Sequence, residues 1–285
     1  MSNVYPNLEI AGNKIVSASG RKLAKISDFA HDYSNTPTES GAIVDVPIIS
    51  TEAKDFNEIS ANYGNVDGTY GVAKINVDDH LVAGFQVSQK QLSDGLGAFK
   101  DLFTRMGEDA GRAIAKKVEA DVFGLLTATS SEFSAATPTN KAGFLTLWEE
   151  LPNNDLDAED CVLVLNPTLY SKALDVCSDI ANLERVIEQG YIDNFLGFKR
   201  VICTKALPTG VNGAILGPNA IGLANRTLDF DGEAYTALQT YTDDASGLSI
   251  TLLVFTDPNT GKKKVSATAL FGKGIIRKEE IILLK

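Results

Sequence analysis

His31 and His80 are the only histidines in this 285-residue chain, and they set the first limit on its chemistry. General acid–base work near neutral pH falls most often to imidazole. Here one lies in "RKLAKISDFAHDY", a helix candidate, and the other follows Asp78 and Asp79 at an expected turn. Neither belongs to an HExxH, a nucleophile elbow or an EF-hand loop. Gly210, Gly213 and Gly217 superficially suggest a nucleotide turn, but GxGxxG is missing and a strand follows where a helix is needed. "TGKKK", Thr260 to Lys264, lacks the upstream glycine of a phosphate loop and sits between two strand patterns. The pairs Glu149-Glu150 and Glu279-Glu280 are sequence neighbours, unsuited to facing each other across a substrate, and read as solvated. Cys161, Cys177 and Cys203 form no CxxC pair, so they read as reduced and mostly buried thiols. Trp148, the only tryptophan, is expected in the core. No catalytic residue, metal ligand or cofactor site is assigned.

Composition points the same way. With 44% hydrophobic and 22% charged residues the chain can bury a sizeable core. Its apolar runs are strand-length, and the start "MSNVYPNLEI" is not a signal peptide pattern, so an intracellular protein without membrane spans is expected. A net charge of −11 disfavours nucleic acid as a direct ligand. The charge is uneven: residues 262–285 carry +5, leaving −16 on the rest. Lys262, Lys263 and Lys264 are thus candidates to meet an acidic surface on a neighbouring copy.

The elements that would position these residues make an extended subunit. Residues 1–48 read as a terminal arm ending in the strand "AIVDVPII". Asn62, Gly64, Asn65, Asp67, Gly68 and Gly71 give a loop tip, because such residues tolerate positive φ or bond their own backbone. After it Ala73, Ile75 and Val77 alternate with polar residues, and Leu81, Ala83, Phe85 and Val87 resume the pattern beyond "DDH". The expectation is a long two-stranded arm whose tip, with Asn62, Tyr63, Gly64, Asp67, Gly68 and Tyr70, touches another subunit. From Leu96 to Leu126 apolar residues recur at three and four, predicting one long helix. "GFLTLWEELP" reads as a short helix, followed by an α/β region of strand "CVLVLNP", helices "TLYSKALDV" and "IANLERVIEQG", and strands "KRVICT" and "GAILG". Leu248 to Phe255 and Lys264 to Phe271 flank "TDPNTGKK" as a closing hairpin.

This order of parts resembles the major capsid proteins of tailed bacteriophages, whose Hong Kong-type fold is shared with encapsulin compartments. "VAGFQVSQKQLSD", Val82 to Asp94, is similar to the family's return from an extended loop into a spine helix. "CVLVLNPTLYSKAL" resembles the strand and helix of its axial domain, "YIDNFLGFKRVICTKALPTGVNGAILGPNAIGLANR" its glycine- and proline-punctuated strands, and "VSATALFGKGIIRKEEI" the final strand of its peripheral domain. The resemblance implies an α+β capsid fold: N-terminal arm and first strand (1–48), extended β-hairpin loop (49–87), peripheral domain with spine helix (88–155), axial α/β domain (156–247) and a return to the peripheral domain (248–285). It also implies function: a major capsid protein, non-enzymatic, self-assembling as hexamers and pentamers into an icosahedral head that encloses DNA without reading its sequence. A separate scaffold, portal or decoration protein would be a partner, and the virion, assembled in the host cytoplasm, the location. An encapsulin-like compartment, or a small-molecule enzyme built on the α/β domain, is the alternative. Some family members crosslink a loop lysine to a neighbour's asparagine. Lys54 and Lys74 are loop lysines here, but residues 265–285 contain no asparagine, so that bond is not expected.

Overall fold

The computed structural model describes residues 26–34, 43–50, 69–88, 98–127, 131, 133–154, 156–178, 195–227, 237–242 and 249–285. Twelve strands among them form two sheets. The larger is ordered β1 (Ala30–Asp32), β8 (Ile221–Arg226), β11 (Lys263–Ile275), β10 (Ser249–Thr256) and β9 (Ala237–Thr242), with β3 (Thr69–Val87) paired to β11 and β2 (Ile43–Ser50) paired to β3. The smaller is ordered β4 (Phe133–Ala135), β12 (Ile281–Leu284), β7 (Gly213–Leu216), β5 (Val162–Leu165) and β6 (Arg200–Cys203). Three α-helices are found among the described residues: α1 (Ala98–Phe123), α2 (Lys141–Asn153) and α3 (Pro167–Ser178).

The smaller sheet is covered on both faces, which is why "VLVL" and "IILL" are apolar at every position. One face presents Val162, Val164, Leu216, Ile281 and Leu283 to a cluster with Ile114, Val118, Val122 and Phe123 of α1 and with Leu252, Val254, Ala267 and Phe271 of the larger sheet. The other presents Leu163, Leu165, Ile215, Ile282 and Leu284 to Phe144, Leu147 and Leu151 of α2 and to Leu169 and Ala173 of α3. Removing this much apolar area from water, at about 25 cal/mol per Å², is what holds the two sheets and the long helix as one body. As its periodicity predicts, α1 runs unbroken for 26 residues through Gly107 and Gly111, both buried. Lys117 and Asp121, one turn apart, add an ion pair at 2.7 Å on its solvent side.

Several expectations are corrected. The stretch Arg21 to Tyr33 is not a helix where it is described: Ile26–Asp28 is a single 3-10 turn, and Ala30–Asp32 is a strand paired in parallel with Ile221–Leu223. Its described part packs into the core. Ile26 and Phe29 are buried, with the Phe29 and Phe123 rings 5.7 Å apart, and Arg200 of β6 forms an ion pair with Asp28. "DDH" is not a turn, since β3 passes straight through it, with Asp79 opposite Phe271 and His80 opposite Leu270. A strand with one solvated face accommodates charge there, and Asp79 makes an ion pair with Lys273. Trp148 is 47% exposed, because the buried stripe of α2 is Phe144, Leu147 and Leu151 and a helical step of about 100° carries position 148 off it. Glu280 is buried, not solvated: its Oε2 accepts the Asn219 N–H at 2.9 Å and its Oε1 faces Arg277 at 3.3 Å. Only Cys161 of the three thiols is buried, and burial pushes its pKa up to about 12, so it is inert as a nucleophile. Ile281–Leu284 pairs in the smaller sheet, while residues 221–242 supply two strands to the larger one. The helix expected at "IANLERVIEQG" lies outside the described residues.

Candidate functional site

Two projections carry the candidate contact residues. The first is the arm, in which β2 and β3 pair antiparallel from Ile43 opposite Asn76 to Ser50 opposite Thr69. Its greasy face seats it: Val44, Val46, Ile75 and Val77 are buried against Ala224 and Ile276, and Ile48, Ala73 and Tyr33 pack at the margin. On the outward face of the arm Val72 is 60% and Ile43 42% exposed, while Val82, 57% exposed, lies beyond the arm's base, opposite Thr268 of β11. At the base of the arm β3 crosses β11 at a β-bulge between Phe271 and Lys273. There Gly272 admits the crossing, because a methyl group on its Cα would stand 2.5 Å from the Asn76 carbonyl oxygen and 2.9 Å from Val77 Cα. Sequence reasoning did not single out Gly272, and only the glycines at 272 and 274 within an apolar strand pattern signalled it. Asn62, Tyr63, Gly64, Asp67 and Gly68 of the tip lie outside the described residues. Tyr70 is the second residue of β3, its backbone opposite Ile49.

The second projection is the β10–β11 hairpin. Gly261 takes the left-handed conformation, φ +63°, and its N–H donates to the Asp257 carbonyl at 2.8 Å, while the Asp257 N–H donates to the Lys262 carbonyl at 2.9 Å. Lys262 is exposed and Lys263 half-buried. The Lys264 ammonium stands 2.9 Å from Asp257 Oδ2 within its own hairpin. That contact, the Asn259 N–H and the Thr260 hydroxyl hold the Asp257 carboxyl down to about 2 from its ordinary 3.8. A folded value below the unfolded one means that the carboxylate's contribution is complete above pH 3.8 and is lost as pH falls through about 2. Carbon-detected NMR titration of Asp257 is therefore expected to give a midpoint near 2, moving upward in Lys264→Ala. A midpoint at 3.8 in the parent would show the tip pair open in solution.

Among the described residues no three His, Cys, Asp or Glu side chains gather as a metal site, and no described helix is long and apolar enough to cross a membrane. His31 lies on β1 with its ring against Tyr33, and His80 lies on the solvated face of β3. An open polar hollow of about 440 Å³ over β1, β8 and β9 is lined by Asp32, Ser34, Arg226 and Thr242. Its one carboxylate is engaged, since Asp32 Oδ1 accepts the Ser34 N–H at 2.9 Å and the Ser34 hydroxyl.

Solved structures share this architecture. The chain aligns with a virus-like particle from Pyrococcus furiosus at a TM-score of 0.60 and 15% identity, covering 97% of this chain and 98% of that one. The capsid of a native GTA particle aligns at 0.59 and 14% identity, covering 92% and 90%, and Mycobacterium phage Che8 at 0.57 and 14%, covering 86% and 85%. At such identities the likeness is one of fold. No curated protein matches the chain in sequence. The family model described as phage capsid protein matches residues 71–274, from the arm strand β3 through both sheets to the end of β11. Spanning well over half of the sequence, that match settles membership: the chain belongs to the phage capsid protein family.

Proposed function

We propose that many copies of this chain close into the icosahedral shell of a phage head, which encloses DNA without contacts specific to base sequence. The family match over residues 71–274 carries this reading, and the arm with its exposed Ile43 and Val72 supports it. Copies overlapping head to tail through such arms form rings, here hexamers and pentamers, and rings joined at their rims form a closed lattice. The larger sheet with α1 corresponds to the peripheral part of the subunit and the smaller sheet with α2 and α3 to the axial part. Assembly takes place in the host cytoplasm with a separate scaffold, portal or decoration protein, and the product is the virion. Electron microscopy of purified protein over a range of salt tests this: capsomers or shells are expected, and a monomer at every concentration and ionic strength would refute it.

A second reading, a protein compartment, draws on the alignment with the Pyrococcus furiosus particle, which covers nearly the whole of both chains. Nuclease-protected DNA in native particles selects the phage head, and its absence selects the compartment. In either case boiled, reduced particles are expected to run as single chains. Lys74 is exposed on β3, but residues 265–285 offer no asparagine to receive it, so a covalent ladder would show an acceptor elsewhere.

A further inference from the structure

Strand β3 serves two cores, and a charge stands between them. Along its less exposed side Ile75 and Val77 are buried in the cluster that seats the arm, whereas Leu81, Ala83 and Phe85 pack against the cluster that joins the two sheets. Among the described residues the two clusters have no member in common. They also lie on opposite faces of the larger sheet, since Leu223 packs with the joining cluster and its neighbour Ala224 with the arm, and consecutive strand residues point to opposite faces. The change of face follows the bulge between Phe271 and Lys273, where Asn76 and Val77 cross Gly272. Beyond it Ile75 rests on glycines: a Cβ at Gly222 would stand 2.7 Å from its Cδ1, and one at Gly274 3.3 Å from its Cγ1.

Asp79 takes the inward position between Val77 and Leu81, where the alternation calls for an apolar residue. Its carboxylate pairs with Lys273, just past the bulge, and the Lys273 ammonium lies 5.3 Å from the centre of the Phe271 ring. Both side chains are largely shielded, at 30% and 20% exposure, so salt weakens the pair without abolishing it. We infer that the arm opens and closes on the body as one unit about Asp79, with the Asp79–Lys273 ion pair as its latch. The seat of Val44, Val46, Ile75 and Val77 on Ala224 and Ile276 is small beside the joining cluster, so it gives way at a lower free energy and leaves that cluster whole. Rings of five and of six copies set neighbours at different angles, and a hinged arm meets both. That use rests on the shell-forming reading, whereas the opening is a property of the single chain.

Hydrogen exchange on dissociated full-length subunits, read by mass spectrometry of peptides, tests the unit and its latch apart from assembly. Amides paired within β2 and β3 up to Val77 are expected to exchange together, about tenfold or more faster than those of β3 from Leu81 to Phe85 and of β10. One rate for arm and body would overturn the separate unit. Asp79→Asn, which keeps the shape and removes the charge, should speed exchange in the arm severalfold and leave the body's rate as it was. Raising salt from about 0.05 to about 0.5 M should do the same to the parent and nothing further to the variant. This salt response needs no variant to fold. Lys273→Gln breaks the pair from its other side, so the double variant should exchange no faster than Lys273→Gln alone. An arm unchanged by Asp79→Asn, a body that speeds up equally, or additive single effects would each overturn the latch. A parent that never forms particles would refute the shell-forming reading and leave these rates untouched.

Discussion

Gly272→Ala is expected to unseat the arm and to lower the melting temperature, although it adds a single methyl group. The new Cβ would stand 2.5 Å from the Asn76 carbonyl oxygen and 2.9 Å from both the Asn76 carbonyl carbon and Val77 Cα. All three are backbone atoms, so no side chain can swing away to make room. Relief requires β3 to move off β11 at the bulge, which also disturbs the seat of Val44, Val46, Ile75 and Val77 on Ala224 and Ile276. Overpacking of this kind costs about 3 kcal/mol at the upper end of its usual range, which for a chain of this size is roughly 5–10 °C in Tm. Gly71→Ala is the matched control on the same strand, where the nearest atom to an added Cβ is Ile48 Cβ at 4.0 Å. There the change should be neutral or slightly stabilising, because glycine within a strand costs roughly 0.5–1 kcal/mol relative to alanine. Calorimetry on both variants checks the pair, and a Gly272→Ala melt equal to that of Gly71→Ala would show that the crossing is not tight.

The residues behind that prediction show where the sequence was readable. Periodic or continuously apolar segments were plain: α1 follows from its three-and-four spacing, and β5 and β12 from runs that only a doubly covered strand needs. Non-local pairing was hidden. Nothing in "FAHD" announces that Ala30–Asp32 lies parallel to Ile221–Leu223, nearly two hundred positions away. "DDH" looked like a turn because charge clusters usually mark one, yet β3 has one solvated face that carries Asp78 and His80. Trp148 was misplaced for a different reason: assigned to the interior by its type, it is held outside by helical phase.

Replacing residues 51–68 with Asn-Gly is expected to abolish shell formation while leaving the fold intact. The arm's register licenses the design. Ser50 and Thr69 stand directly opposite each other as the last pair of β2 and β3, so a two-residue type I′ turn can join them without shifting any pairing below. The deletion therefore keeps Tyr70 and Gly71, which belong to the paired strand, and removes Asn62, Tyr63, Gly64, Asp67 and Gly68 together. Shortening the connection changes closure entropy by only about 0.6 kcal/mol per halving of loop length, in the stabilising direction. Helix content and the cooperative melt should match the parent, because the three apolar clusters draw on β2 and β3 only below this point. Particle yield by electron microscopy should nevertheless fall at least about tenfold, the loss expected when an interface is deprived of a central contact. Normal shells from this variant would remove the tip from the assembly mechanism. A variant that does not fold would place residues 51–68 in the subunit core, and the arm could then no longer be treated as a projection toward its neighbours.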